Sequence, residues 1–313
     1  MREISDIDEF YKTFDKKYLY RGGFMESALQ IKLNKLQNKL NELQNKFIEI
    51  LLKFKPVKKY WFKKYMMRPF FIGNSKFDFA KDIIENELKY RKLYELLEDE
   101  ISKKTLLAVM CFKLTQNYQY VKQIERFTID QYFDPEIIKF NPEGEVFADC
   151  GGFSGDTAIA AFRLRVPIKR YYFIEPDPEN SKNAKNALKD FENIIYCECA
   201  SGDSKGEVAF ECRGAGGHIT LSGTKKIIVD TLDNIVKEPL TFIKMDIEGA
   251  ESATLKGAEN HILNHKPKLA VCAYHKPDDA HKLAFQIKKI RPDYKLFFRV
   301  YGSSYCEAVI YAL

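Results

Sequence analysis

The residues best suited to chemistry in this 313-residue chain fall in five short blocks. "FADCGGFSGDTA" (147–158) places Gly151, Gly152 and Gly155 between Asp149 and Asp156. Glycine lacks the Cβ that keeps a ligand off the backbone, so such a loop, opening a helix, can touch a bound group closely. "FIEPDP" puts Glu175 20 residues after Gly155, a spacing at which an acid accepts from the two hydroxyls of a ribose. The alternative is a solvent-facing glutamate before Pro176. "ASGD" offers Ser201 and Asp203, small and polar enough for an adenine edge. "FIKMDIEGAE" carries Lys244 and Asp246, which share a strand face because i and i+2 point the same way. A lysine in a central strand needs a partner. That partner is a carboxylate, or else the lysine has a lowered pKa and acts as a base. "AYHKPDD" adds His275, Asp278 and Asp279.

The elements that must hold these blocks are legible from residue 145 onward, where short apolar runs alternate with helical stretches. Strands are predicted at 145–150, 169–176, 193–200, 240–249 and 267–275, with helices between them. Residues 205–229 read as hairpin material, and "YKLFFRVY" and "EAVIYAL" close the chain as two strands. Such alternation argues for an α/β fold: a mostly parallel sheet with helices on both faces. Ligands in these sheets bind beyond the carboxyl ends of the strands, at the switch point. All five blocks lie at those ends. The glycine pattern alone is that of any tight turn, and it lacks GxGxxG spacing. Together with three strand tips it composes a nucleoside site.

The first part of the chain has a different character. Leu29, Leu33, Leu36, Leu40, Leu43, Phe47, Ile50 and Phe54 alternate at four and three residues, an a/d seam. A helix over 29–54 would be about 39 Å long. It is either a dimeric coiled coil or a long helix packed on its own chain. Pro56 ends it. From Lys53 to Arg68 seven basic residues and no acid interleave with Tyr60, Trp61, Phe62 and Tyr65. This stretch, 53–71, suits an anionic membrane surface or a phosphate, or is a solvated basic face. Nucleic acid is not favoured, because no recognised binding module accompanies it. Residues 78–130 have helical spacing, and "YFDPEIIKFNPEGE" connects them to the second region. The regions are therefore 1–77, 78–140 and 141–313.

Composition supports this division. The net charge is +6, with 27 basic and 20 acidic residues before 141 and 23 and 24 after it. The basic character belongs to the first part. Seven cysteines form no CxxC pair, which reads as buried reduced thiols and argues against a cysteine zinc site. No signal peptide and no run of 18 apolar residues is visible. The expectation is a cytoplasmic protein with peripheral contact at the inner face of the membrane.

In this order the blocks resemble the FkbM-type S-adenosylmethionine-dependent methyltransferases of the Rossmann-like superfamily. The resemblance rests on "VFADCGGFSGDT", "FIEPDP", "ASGD", "VDTLDNI", "FIKMDIEGAE", "LKGAENHI" and the tail from "AYHKPDD", over residues 141–313. "YELLEDEISKKTLLAV…YFDPEII" is similar to the lead-in of bacterial members. Residues 1–77 lie outside it. One departure is Gly152, where many members have alanine; it should only loosen the loop. The resemblance implies a class I methyltransferase fold of seven strands, the last antiparallel, and methyl transfer to a hydroxyl. It implies that Gly151, Gly152 and Gly155 line the cofactor loop with Asp149 beneath, and that Asp156, Thr157 and Pro176 belong to the same site. Glu175 would hold the ribose, Ser201 and Asp203 would lie near adenine, and Asp246 near the sulfonium.

Methyl transfer from sulfonium to oxygen is an in-line displacement, so the protein must align the atoms and exclude water. A base near the hydroxyl helps by about 10²–10⁴-fold. His275 is the first candidate, against a histidine that only hydrogen-bonds the fold; Asp246 is the second, as base or orienter; Lys244 is the third. A magnesium ion on Asp246, Asp278 and Asp279 is a metal-assisted variant, against "PDD" as a helix cap; the expected site holds no metal. The acceptor expected is a glycan, nucleotide sugar or related metabolite. The competing readings are a coiled-coil-dimerised nucleoside-binding scaffold without catalysis and a nicotinamide enzyme, which the glycine spacing opposes.

Overall fold

A computed structural model describes residues 4–14, 75–115, 117–122, 124–211, 218–219, 225–301 and 307–313. The heptad stretch 29–54 and the basic aromatic stretch 53–71 lie outside the described residues.

Helix α1 (Ile7–Thr13) begins where the Asp6 carboxylate accepts the Glu9 amide at 2.8 Å, an N-cap bond. It docks through Phe10, fully buried, and through the Tyr11 hydroxyl, which donates to the Ile83 carbonyl at 3.0 Å. Ile83 belongs to α2 (Ser75–Glu85), the first of a helical series with α3 (Glu87–Leu96), α4 (Glu100–Thr115) and α5 (Gln119–Lys122). The helical expectation for 78–130 holds to Lys122; a single 3-10 turn, Thr128–Asp130, follows.

Strand β1 (Glu145–Cys150) is buried at all six positions, as a central strand covered on both faces must be. Its side chains alternate between two cores. Val146, Ala148 and Cys150 join a cluster that runs through Phe10, Ile83 and Leu106 to Ile310, while Phe147 joins Tyr171, Phe173 and Phe242 on the other face. The helical lead-in and the sheet therefore share one core. After β1 come α6 (Asp156–Arg163), β2 (Ile168–Ile174), α7 (Pro178–Ala187) and β3 (Ile194–Cys197). The predicted third strand, 193–200, is split. Its end steps into a second sheet as β4 (Ala200–Gly202), beside β5 (Gly206–Glu211), β6 (His218–Ile219) and β7 (Lys225–Thr231), where β5 and β7 form the expected antiparallel pair.

The chain returns through α8 (Leu232–Ile235) to β8 (Phe242–Met245), α9 (Glu251–Gly257), α10 (Glu259–His265), β9 (Lys268–Cys272), α11 (Asp279–Ile290), β10 (Leu296–Tyr301) and β11 (Glu307–Ala312). The main sheet has seven strands in the order β10-β11-β9-β8-β1-β2-β3. β3, β2, β1, β8 and β9 are parallel, and β11 runs antiparallel to both its neighbours. This is the predicted class I methyltransferase fold. The chain leaves β1 toward β2 in one direction and passes from β8 to β9 in the other, so the switch point lies between β1 and β8.

Candidate active site

At the switch point the register sets Asp149 of β1 opposite Lys244 of β8. Both side chains are almost wholly buried, and the ammonium lies 3.0 Å from Asp149 Oδ1. The Tyr171 hydroxyl donates to Asp149 Oδ2 at 2.6 Å. Lys244 also donates to the Gly151 carbonyl at 2.7 Å. Burial works to lower its pKa, but the carboxylates of Asp149, Asp246 and Asp156 overcome this and raise it above the usual lysine range. The lysine is thus charged and fully engaged, the carboxylate-partner alternative of the two. The arrangement gives it no role as a base.

The glycine loop is shaped first by the protein itself. Gly151 has φ +83°, and a Cβ there would stand 1.9 Å from the Asp246 carbonyl oxygen. The tips of β1 and β8 therefore touch, with Asp246 N donating to the Cys150 carbonyl at 3.1 Å. A Cβ on Gly152 would come within 2.3 Å of the Phe173 ring. Glycine at 152 is thus a packing requirement, which corrects the expectation that it merely loosens the loop. Gly155 takes the N-cap position of α6 with no side-chain cap, which leaves the positive end of the helix without a side-chain acceptor. Asp156 and the buried Thr157 begin that helix.

Glu175, at the tip of β2, is buried. Its Oε2 accepts from Phe153 N at 3.0 Å, and its Oε1 from Asp177 N at 2.9 Å and Asn180 Nδ2 at 3.3 Å. Burial raises its pKa against the pull of these donors. Of roughly four acceptor sites on a carboxylate, about one is left. Pro176 follows, half-buried, and leads into the cap of α7, where Asp177 accepts from Glu179 N at 3.0 Å. Ser201 and Asp203 both have partners within the protein. Ser201 is buried, accepting from Thr254 Oγ1 of α9 at 3.0 Å, and Asp203 pairs with Lys256 on the surface at 3.1 Å. β3 ends early, so Ser201 falls in β4 of the second sheet and Asp203 just past it.

Asp246 stands one residue past β8. Tyr132 donates to its Oδ2 at 2.8 Å and Tyr274 to its Oδ1 at 3.1 Å. His275 Nε2 lies 3.3 Å from Oδ1, and His275 Nδ1 lies 2.9 Å from Glu251 Oε1. Burial opposes ionisation of Asp246, but His275, Lys244 and Tyr132 hold its pKa well below the usual carboxylate range. His275 is the complement. Burial opposes its charge, yet Asp246 and Glu251 raise its pKa to about 10. Both ring nitrogens thus face carboxylates of the protein, so in this arrangement His275 is paired with Asp246 and Glu251. The magnesium grouping is not formed either. Asp278 lies 3.4 Å from Lys282, and Asp279 gathers with Glu251 and His275 rather than with Asp246.

Tyr132 and Glu251 are functional candidates that sequence reasoning did not single out. Tyr132 sits in the connector with φ +71°, an uncommon conformation for a bulky residue, and its amide donates to the Tyr311 hydroxyl at 3.0 Å. No spacing marks it. Glu251 lies in "FIKMDIEGAE", where nothing in the local spacing sets it apart.

The Methyltransferase FkbM domain family matches residues 149–296. Among solved structures, methyltransferase FkbM from Methylobacillus flagellatus KT is similar with a TM-score of 0.69 and 30% identity, over 77% of this chain and 63% of that one. The chain thus spans less than two thirds of that protein. Fibrillarin from Aeropyrum pernix, solved with natively bound S-adenosyl-L-methionine, is similar with a TM-score of 0.38 and 15% identity, over 60% of this chain and 75% of that one. No curated protein sequence matches the chain.

Proposed function

We propose, because residues 149–296 match the Methyltransferase FkbM domain family, that the chain is an S-adenosylmethionine-dependent O-methyltransferase acting on a hydroxyl of a glycan, nucleotide sugar or related metabolite. The observation that carries this is Asp246: an anionic carboxylate, held by two tyrosines, against the glycine loop at the switch point.

The residues fit the cofactor. Glu175 keeps about one acceptor site for a ribose hydroxyl, the uncapped amides of α6 suit its carboxylate, and Asp246 suits a neighbouring cation. When bound, S-adenosylmethionine supplies an activated methyl group on a sulfonium. The chain's own residues do the rest. Asp246 accepts a hydrogen bond from the acceptor hydroxyl and aligns its oxygen; its lowered pKa makes it an orienter, and the hydroxyl proton is released to water. Tyr132 and Tyr274 fix both carboxylate oxygens. His275 holds Asp246 from behind and acts as a positioning residue.

The acceptor class follows from the family resemblance, and the basic aromatic stretch 53–71 supports an acceptor that carries phosphate or sits at a membrane. In this reading residues 29–54 join two copies and the protein works at the inner face of the membrane. Among the described residues no helix is long and apolar enough to cross a membrane. The test is incubation with methyl-labelled S-adenosylmethionine and a panel of nucleotide sugars and glycans, read by mass spectrometry. Label on a hydroxyl oxygen is expected; label on nitrogen or carbon, or bound cofactor with no transfer across the panel, overturns the reading.

A further inference from the structure

We propose that Glu251, His275 and Asp279 bind one divalent first-row transition-metal ion, manganese(II) or zinc(II) in class, behind Asp246. Each residue offers one ligand atom, and these atoms lie within 4.8 Å of one another. They come from three separate places: the first residue of α9, the loop after β9 and the first residue of α11. One imidazole nitrogen with two carboxylates suits such ions better than calcium or magnesium, which prefer all-oxygen shells.

Two further observations point to a cation. Glu251 is fully buried; its Oε1 accepts from Ile247 N at 3.0 Å, while its Oε2 is buried with no hydrogen-bond partner among the described residues. A buried carboxylate oxygen left so is costly, and a coordinated ion satisfies it. Asp279, also buried, has one oxygen on Lys276 N at 2.6 Å and the other to offer. The second observation is the far side of the imidazole. Metal-bound histidines donate their other N–H to a carboxylate, which fixes the ring. His275 Nε2 faces Asp246 Oδ1 at 3.3 Å while Nδ1 faces Glu251. Binding through Nδ1 therefore makes the order carboxylate, histidine, metal. Two carboxylates and a neutral imidazole balance a divalent charge, with the ion in place of a proton on Nδ1 and the Nε2–H kept toward Asp246. It does not reach the acceptor. Its work is to lock His275, and so Asp246.

The role given to the ion rests on the proposed function, but metal binding itself does not, and its test reads no activity. The full chain is stripped with a chelator, then titrated separately with manganese(II), followed by electron paramagnetic resonance, and with zinc(II), followed by calorimetry. One ion per chain is expected, with affinity at least about 10-fold weaker in Asp279→Asn and in Glu251→Gln, and a rise in Tm with metal in the parent that both variants lose. Circular dichroism checks that each variant is folded; if one is not, the other decides. If the parent binds neither ion, or a folded variant binds as the parent does, the proposal is overturned. S-adenosylhomocysteine binding, measured on the same samples, reports on the methyltransferase reading independently.

Discussion

Lys244 lies 3.0 Å from Asp149 across the β1–β8 boundary, and neither side chain is open to water. The pair also secures the site, because the same ammonium holds the Gly151 carbonyl. Removing one member leaves the other charge buried. Lys244→Met is expected to destabilise the fold by about 3–5 kcal/mol and to weaken cofactor binding through the loosened loop. Urea denaturation measures the first effect. An unchanged midpoint combined with lost turnover would instead make Lys244 a chemical participant.

Gly152→Ala should be destabilising. Its Cβ would stand 2.3 Å from a Phe173 ring that is itself fully buried. Overpacking of this kind costs about 1–3 kcal/mol. Adding Phe173→Leu should restore part of the loss, and the double variant's denaturation midpoint is the check. Equal midpoints for Gly152→Ala and the parent would show that the loop, rather than the ring, yields.

Tyr132→Phe removes one donor from Asp246 and leaves the ring in place. A hydrogen bond to a charged group contributes about 1.5–3 kcal/mol, so kcat should fall roughly 10- to 100-fold with little change in the far-ultraviolet spectrum. An effect confined to KM would move Tyr132 from holding the reacting carboxylate to binding the acceptor.

Arg299 is buried in β10 and reaches Asp99, the residue before α4, at 2.6 Å. Burial raises the Asp99 pKa, but its bonds to Arg299 and Ser102 outweigh this and bring it down to about 2 from 3.8. A depressed folded pKa means stability that is present above the unfolded value and lost as pH falls through the folded one. The parent should therefore exceed Asp99→Asn by about 1–2 kcal/mol at neutral pH, after discounting for the partly exposed acid. The difference should close as pH falls from about 4 to about 2. A gap that persists at pH 2 would assign it to packing instead.

Much of the architecture could be read from period and spacing. The alternation after residue 145 gave the parallel strands, and the rule that ligands sit at carboxyl ends picked out the glycine loop, Glu175 and Asp246. What escaped depends on register and on contacts distant in sequence. Nothing in "IKMD" reveals that Lys244 sits level with Asp149; pairing of β1 with β8 decides it. That Ser201 belongs to a second sheet follows from β3 ending at Cys197, a boundary no local pattern marks. Tyr132 reaches Asp246 from 114 residues away, through a backbone conformation its neighbours in sequence do not announce. His275 stands out in the sequence, but its surroundings are set by Glu251, which no local pattern marks.

The central claim is that the tips of β1, β2 and β8 hold the adenosyl cofactor. Calorimetric titration of S-adenosylhomocysteine into the full chain, beside the Glu175→Gln and Gly151→Ala variants, tests it most directly. The account predicts one site per chain, weakened about 10-fold or more by Glu175→Gln and abolished by Gly151→Ala, whose Cβ would collide with the Asp246 carbonyl. Binding as tight in both folded variants as in the parent, or no binding to the parent at all, would contradict it.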